Sequence, residues 1–324
     1  EKFARFATDI FNVWLVGTYY MNPILDPGKS CGSSGGWEPG GICGYYDYEQ
    51  IHDDLAMHAA MVYDFAFDYL SRHPHAHLKE IGKDTKSVAV EVFKRFINIG
   101  LVRGGKSGNW NVNGWNMMLR PVLVLDSDEA YPDGKGKEYY LNLLVNESTP
   151  YHDAIPDMLK TYDPVTGLWP ESPGYSFGTI QMLLDWAAPL KRAGIDIIAG
   201  NPILQKAAMA VFPWMDDAAN MVVFGDSRGG SANFQTFENL LAYYAGITDK
   251  AGMEKVASAL NKGISQKKYT RNNAGWTGLC TYTVAIPSVC TENNERASYS
   301  PHHRFITMKN WEGDYKMMFT LYGG

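Results

Sequence analysis

The stretch TKSVAVEVFKRFINIGL, residues 85–101, carries the clearest fold signal in the chain. Its apolar residues Val88, Val92, Phe96 and Ile99 recur every three or four positions, which places them on one face of an α-helix. Similar spacing elsewhere predicts further helices over residues 48–72, 178–189, 203–215, 234–246 and 251–263. The sequence therefore predicts a mainly α-helical protein, and paired helices at irregular spacing suit an α/α toroid.

The pattern changes after about residue 265. The segment RFITMKNWEGDYKMMFTLYGG, residues 304–324, alternates apolar and polar residues around a turn at 312–314. Such alternation is typical of a β-hairpin. We therefore expect a helical domain over residues 1–265, followed over 266–324 by a linker and the first strands of a truncated β-domain.

Composition limits the class of protein. The net charge of -6 argues against a general nucleic-acid binder, whose surface is basic. No run of 18 apolar residues occurs, so we expect no membrane span. The 20 Tyr and 9 Trp suit a sugar-binding cleft, although a large aromatic core explains them too. The chain starts at Glu1 without a signal peptide, and we expect a processed or trimmed fragment.

The four cysteines form two close pairs, Cys31/Cys43 and Cys280/Cys290, both in loop-like sequence. None has the spacing of a zinc site, and we expect neither a metal nor a cofactor. Two local disulfides and four free thiols are both compatible with the spacing. Disulfides would agree with a secreted or periplasmic bacterial protein.

Four long connections are rich in Gly, Asn and aromatic residues, namely 22–47, 103–116, 162–178 and 224–235. Long loops inside a compact domain are usually functional. If the loops of successive helical hairpins gather on one side, all four stretches surround one cleft.

The connection 103–116 contains GNWNVNGWN, in which asparagines alternate with tryptophans. An amide donates hydrogen bonds to a carboxylate without carrying charge, and a Trp ring stacks on a sugar. The alternative is an Asn- and Gly-rich loop whose side chains bond to their own backbone. The candidate substrate-binding residues of this stretch are Asn109, Trp110, Asn111, Asn113, Trp115 and Asn116.

The stretch TGLWPESPGYSFG, residues 166–178, places Tyr175 within a collar of Gly and Pro, four residues after Glu171 and six after Trp169. A tyrosine ordinarily has a pKa near 10, so it acts as a base only where cations or hydrogen bonds stabilise the phenolate. The alternative is a packed loop tyrosine. The collar can present the phenol to a cleft, which makes Tyr175 a candidate proton-transfer residue.

Cationic candidates lie in two later stretches. In FGDSRGG, Asp226 and Ser227 suit a loop cap, which leaves Arg228 to meet an anion. In SPHHRF, neighbouring strand residues face opposite sides, so only one of His302 and His303 can face a cleft. Arg304 follows them.

Taken in order, NWN, TGLWPESPGY, FGDS and WEGDYKMMFTLYGG resemble the heparinase II/III-like polysaccharide lyases, whose relatives include alginate lyases. In that family an α/α toroid precedes an antiparallel β-sandwich. The pair His303-Arg304 also resembles the start of the β-domain in chondroitin and hyaluronate lyases. The family's first-domain His is replaced here by Asn, and its H-x-H-x-D segment would follow Gly324.

The resemblance implies β-elimination of a uronic-acid polysaccharide, such as a glycosaminoglycan or alginate. Asn113 or Asn116 would neutralise the substrate carboxylate, while Tyr175 and His303 would move protons and Glu171 would assist. Trp169, Arg228, His302 and Arg304 would join the Asn and Trp residues in binding the polymer.

Three other functions remain open. A toroid glycoside hydrolase needs two suitably separated carboxylates, and only Glu171 is well placed in a loop. A uronic-acid epimerase would share the proton abstraction, and a non-catalytic glycan-binding protein would use the same Trp and Asn residues.

Overall fold

The computed structural model describes residues 2–20, 55–103, 106–216, 219–225, 227, 232–244, 250–271, 286–288, 296–301, 304–310, 312 and 317–323. It is mainly helical, with one small antiparallel sheet of three strands. The chain divides into two compact units, Glu1–Met158 and Leu159–Gly324. The predicted boundary near residue 265 lies inside the second unit and stays a prediction. All four cysteines and the connection 22–47 lie outside the described residues.

The described part of the first unit consists of helices joined by turns and contains no strand. Its helices are α1 (Lys2–Tyr19), α2 (Leu55–Phe65), α3 (Phe67–Arg72), α4 (Ala76–Glu80), α5 (Thr85–Arg103), α6 (Gly108–Leu123), α7 (Lys137–Val145) and α8 (Ile155–Met158). Helix α5 confirms the helix predicted from its apolar spacing, and Val88, Val92 and Phe96 are buried. Helix α6 packs against α2, α5 and α7, which makes it the central helix of this unit.

In its described part, the second unit contains four α-helices followed by the sheet. The helices are α9 (Pro173–Arg192), α10 (Pro202–Met209), α11 (Phe234–Tyr244) and α12 (Lys250–Ser265). Helix α9 packs against α10 and α11, and α11 packs against α12. The apolar side chains that face this core include Leu183, Leu184, Phe237 and Leu260.

The sheet has the order β1 (Ala297–Ser300), β2 (Phe305–Asn310) and β3 (Met317–Tyr322), with both pairs antiparallel. These strands confirm the expected β-structure after residue 295. Phe305 is buried in a cluster with Leu168, Trp214 and Val222, so the sheet is attached to the helical part of its own unit. Lys309 is also buried, and its Nζ donates to the Phe212 carbonyl at 3.1 Å.

Two sequence-based expectations about helix boundaries were wrong. The stretch 108–116 is the first half of α6 rather than a loop, although Asn and Gly are poor helix formers. Helix α9 begins at Pro173 instead of near 178 and continues through Pro189 to Arg192. An interior proline removes one hydrogen bond, and its ring crowds the carbonyl four residues earlier. Burial of Leu183, Leu184 and Leu190 offsets this cost.

Within the described ranges, no helix is both long enough and apolar enough to cross a membrane.

Candidate active site

Helix α6 carries three asparagines on one side. Asn109, Asn113 and Asn116 are spaced four and three residues apart, so they form a single stripe along the helix. All three are half-buried, and the neighbouring Trp110 is 48% exposed. The stripe therefore presents amide groups and an aromatic ring at the surface of the first unit. These groups suit a ligand that combines carboxylates with sugar rings.

Side chains on the opposite side of α6 bond to the backbone of Asp153. The Asn111 amide donates from Nδ2 to the Asp153 carbonyl at 2.8 Å and accepts from the Asp153 N–H at 3.1 Å. Trp115 also donates from Nε1 to that carbonyl at 3.3 Å. Both side chains are almost fully buried. We therefore assign them a supporting role, in which they fix α6 against the turn 148–153 and orient the asparagine stripe.

His152 lies in this turn and was not singled out by any sequence pattern. His152 is 1% exposed, and its ring lies 6.0 Å from the Trp115 ring. Among the described residues, its Nε2 has no hydrogen-bond partner. Burial lowers the pKa of His152 to about 3, because a charged imidazole would lose its hydration. The adjacent Asp153 carboxylate lies 3.8 Å from the Lys106 ammonium. The turn is thus held by hydrogen bonds from Asn111 and Trp115, and it buries a neutral histidine against α6.

The Asn111 clamp gives a stability prediction. Asn111→Ala leaves a buried Asp153 N–H without its partner, so we expect the free energy of unfolding to fall by about 2 kcal/mol. Asn142→Ala is the matched control, since Asn142 makes its bonds to Glu147 and Asn146 at the surface. The control should change stability by less than about 0.5 kcal/mol. Urea denaturation measures both, and equal losses would contradict the clamp.

In the second unit, the loop before α9 has a fixed backbone. Asp163 Oδ1 accepts from the backbone N–H groups of Val165 and Thr166, and the Gly167 N–H donates to the Asp163 carbonyl. Gly167 has a φ of 76° and lies so close to Lys206 that a Cβ would approach its backbone to 2.8 Å. A glycine is required there on both counts.

Trp169 and Glu171, further along this loop, are joined by a side-chain hydrogen bond. The Trp169 indole N–H donates to Glu171 Oε2 at 2.7 Å, and its ring packs edge-on against Tyr162 at 4.9 Å. Trp169 is 1% exposed, whereas Glu171 is half-buried. Trp169 therefore orients the carboxylate of Glu171. As with Trp115, its burial favours a supporting role over direct contact with a polymer.

Tyr175 lies in the first turn of α9 and is 41% exposed. The residues around it are anchored: Ser176 Oγ donates to the Trp169 carbonyl at 2.8 Å, and Gly174 N–H donates to Ser227 Oγ at 2.7 Å. The positive end of a helix dipole favours negative charge near the first turn. This combination of an exposed phenol and a fixed backbone suits a residue that exchanges a proton with a ligand.

Two other predicted segments belong to the same unit. Phe224, which opens the FGDS segment, packs against Phe305 of β2 at 4.6 Å and stacks on Tyr322 of β3 at 5.0 Å. Arg304 is exposed with a φ of 48°, and its carbonyl accepts from the Gly323 N–H at 2.8 Å. Arg228, His302 and His303 lie outside the described residues, so their roles stay predictions.

The buried Glu238 carboxylate pairs with an arginine and a tyrosine. Glu238 is 1% exposed and pairs with Arg271 at 2.5 Å, while the Tyr269 hydroxyl donates to it at 2.5 Å. Burial, followed by the hydrogen bond to Glu238 and the charge of that carboxylate, raises the pKa of Tyr269. This network joins α11 to the segment after α12, and we assign it a structural role.

In the part of the chain that the structure covers, no three His, Cys, Asp or Glu side chains are grouped to hold a metal ion. No protein-family model matches the chain, and no curated protein or solved structure does either.

Proposed function

We propose that the chain is a polysaccharide lyase that cleaves a uronic-acid polysaccharide by β-elimination. The observation that carries the proposal is Tyr175, an exposed phenol on a backbone held by Ser227 and Trp169. The amide stripe Asn109, Asn113 and Asn116 supports it, because amides can bind a substrate carboxylate. The resemblance to heparinase II/III-like lyases implies the same roles for a tyrosine and an asparagine.

The chemistry assigned to these residues is a proton transfer followed by loss of a leaving group. Asn113 or Asn116 donates hydrogen bonds to the uronate carboxylate, which stabilises charge that develops there. Tyr175 and His303 share the two proton transfers. The C5–H bond breaks, its electrons form the C4=C5 double bond, the C4–O4 bond breaks, and O4 receives a proton. Glu171 is assigned to assist Tyr175.

For the architecture, we propose that the helices form an incomplete α/α toroid and that the sheet begins a β-sandwich. The exposed side chains of the sheet support the proposed β-sandwich. Tyr299, Met308, Phe319 and Leu321 are each at least 48% exposed, and pairing places Met308 beside Phe319. A sandwich needs such an apolar face, because its two sheets pack their side chains against each other.

The function is tested by incubating the protein with hyaluronan, chondroitin sulfate, heparan sulfate and alginate. We expect at least one polymer to yield the absorbance of a double bond conjugated to a carboxylate. New reducing ends without that absorbance would indicate a hydrolase. Exchange of the C5 hydrogen with solvent, without cleavage, would indicate an epimerase. Binding without any reaction would indicate a glycan-binding protein, and each of these three results would overturn the proposal.

A further inference from the structure

The start of α9 is capped from a distant part of the chain. The first N–H groups of a helix have no partner within the helix, and the N-cap side chain usually accepts from one of them. Here Ser172 occupies the N-cap, yet its hydroxyl is buried and makes no hydrogen bond to any residue that the structure describes. Pro173 has no N–H to satisfy. The Gly174 N–H instead donates to Ser227 Oγ, 53 residues further along the chain.

The two segments fit closely at this contact. A Cβ on Gly174 would lie 3.0 Å from Ser227 Oγ, which is closer than the hydrogen-bonded arrangement tolerates without movement. On the other side, Gly225 has a φ of 62°, and a Cβ there would lie 3.5 Å from the Ser172 Cβ. Gly174 thus allows Ser227 to approach closely. Gly225 is favoured by its positive φ, because a Cβ at 3.5 Å would make only an ordinary contact.

Ser227 is itself attached to the core of the second unit. Its N–H donates to the Phe224 carbonyl at 3.4 Å, and Phe224 packs against Trp214, Phe305 and Tyr322. Two consecutive contacts therefore connect the packed core to the first turn of α9: Ser227 bonds to Phe224, and Gly174 bonds to Ser227. Tyr175 is the next residue, and the described residues place no hydrogen-bond partner on its phenol oxygen. Its position depends on its backbone.

We propose that Ser227 is a positioning residue, whose hydroxyl fixes the first turn of α9 and thereby holds the Tyr175 phenol in place for proton transfer. The inference rests on the proposed lyase function for its catalytic consequence. The positioning itself is a property of the contact and can be measured without any substrate.

The substrate-free measurement is hydrogen exchange of the Gly174 amide. Labelling with ¹⁵N-glycine and ¹³C-proline restricts the NMR signals to glycines that follow a proline, and Gly174 is one of them. Ser227→Ala should make this amide exchange at least about tenfold faster, because an acceptor is lost. Ser227→Thr keeps the hydroxyl and should keep the protection. Unchanged exchange in Ser227→Ala would overturn the inference, whatever reaction the protein catalyses.

The catalytic measurement uses the polymer that gives the strongest elimination signal. Ser227→Ala should lower kcat about tenfold with KM changed less than about twofold, since orientation rather than binding is lost. Ser227→Thr should recover most of kcat. In a Tyr175→Phe background, Ser227→Ala should have almost no further effect, because the group that it positions is gone. An equal loss in both backgrounds would show a general structural role and overturn the inference.

A second variant reaches the same contact from the other side. Gly174→Ala brings a Cβ against Ser227 Oγ, and alanine is a better helix former than glycine, so α9 itself is not weakened. It should reproduce the loss of kcat seen with Ser227→Ala. Ser265→Ala is the control, because that hydroxyl bonds the Lys262 carbonyl at the surface of the same unit. Normal kcat in Gly174→Ala would count against the inference.

Discussion

Tyr175→Phe is expected to lower the turnover of polymer elimination by about 10²- to 10⁴-fold, the usual contribution of a general acid–base group. The variant keeps the aromatic ring and removes only the phenol oxygen. The side chain is 41% exposed, so the removal leaves no buried partner unsatisfied and stability should change little. The rate of formation of unsaturated product, measured at saturating polymer, gives the turnover directly.

Tyr299→Phe is the matched control for this experiment. Tyr299 lies on β1 of the same unit and is 59% exposed. Its variant should retain normal turnover, and both variants should bind the polymer as the parent chain does. If a folded Tyr175→Phe protein eliminates at a near-normal rate, Tyr175 is a surface residue, and the proton transfers must belong to other groups.

The second large effect concerns stability in acid. His152 has a pKa of about 3 in the folded chain and about 6.5 when unfolded. Between these values the unfolded chain binds more protons than the folded one, so falling pH favours unfolding. Above pH 6.5 His152 is neutral in both states, and its burial does not reduce the free energy of unfolding. The free energy of unfolding should decrease by about 1.4 kcal/mol for each pH unit below 6.5, until the folded-state pKa of His152 is reached.

His152→Phe isolates this effect, because it keeps a ring against Trp115 and leaves every other titrating group in place. We expect the variant to lose less stability than the parent chain between pH 6.5 and 4.5, by about 2 to 3 kcal/mol. Urea denaturation at several pH values measures the difference. Parallel pH curves for the two proteins would show that His152 is not buried as a neutral group. His152→Gln, which also cannot titrate in this range, checks that the ring size is not responsible.

Sequence patterns predicted the parts of the fold that depend on periodic burial. Helix α5 and the strands after residue 295 follow from the spacing of their apolar residues. Helix α6 did not, because its Asn and Gly residues favour loops in isolation. What stabilises it is tertiary: Asn111 and Trp115 bond to Asp153, far away in sequence. Local propensity contains no information about such a partner.

In the candidate site, too, local sequence indicated some features, while others depend on tertiary contacts. The Gly and Pro collar suggested that Tyr175 is presented to a cleft. The structure shows that its side chain is 41% exposed, and the cleft stays a prediction. The sequence also suggested that Ser227 caps a loop, yet gave no sign that it caps α9 instead. His152 was missed altogether, because burial of a single histidine leaves no trace in a periodic pattern. Contacts between distant segments decide these roles, and they become visible only when the chain is folded.

Strand β3 has a consequence for how the protein behaves in concentrated solution. Its segment MMFTLY is uncharged and free of Gly and Pro, and among the described residues it pairs with β2 alone. Phe319 and Leu321 are more than half exposed on it. Uncharged six-residue segments of this kind at a sheet edge can recruit the same strand of another molecule and grow into cross-β aggregates. Aggregation of this chain should therefore start at β3, and a lysine at position 319 would be the natural way to suppress it.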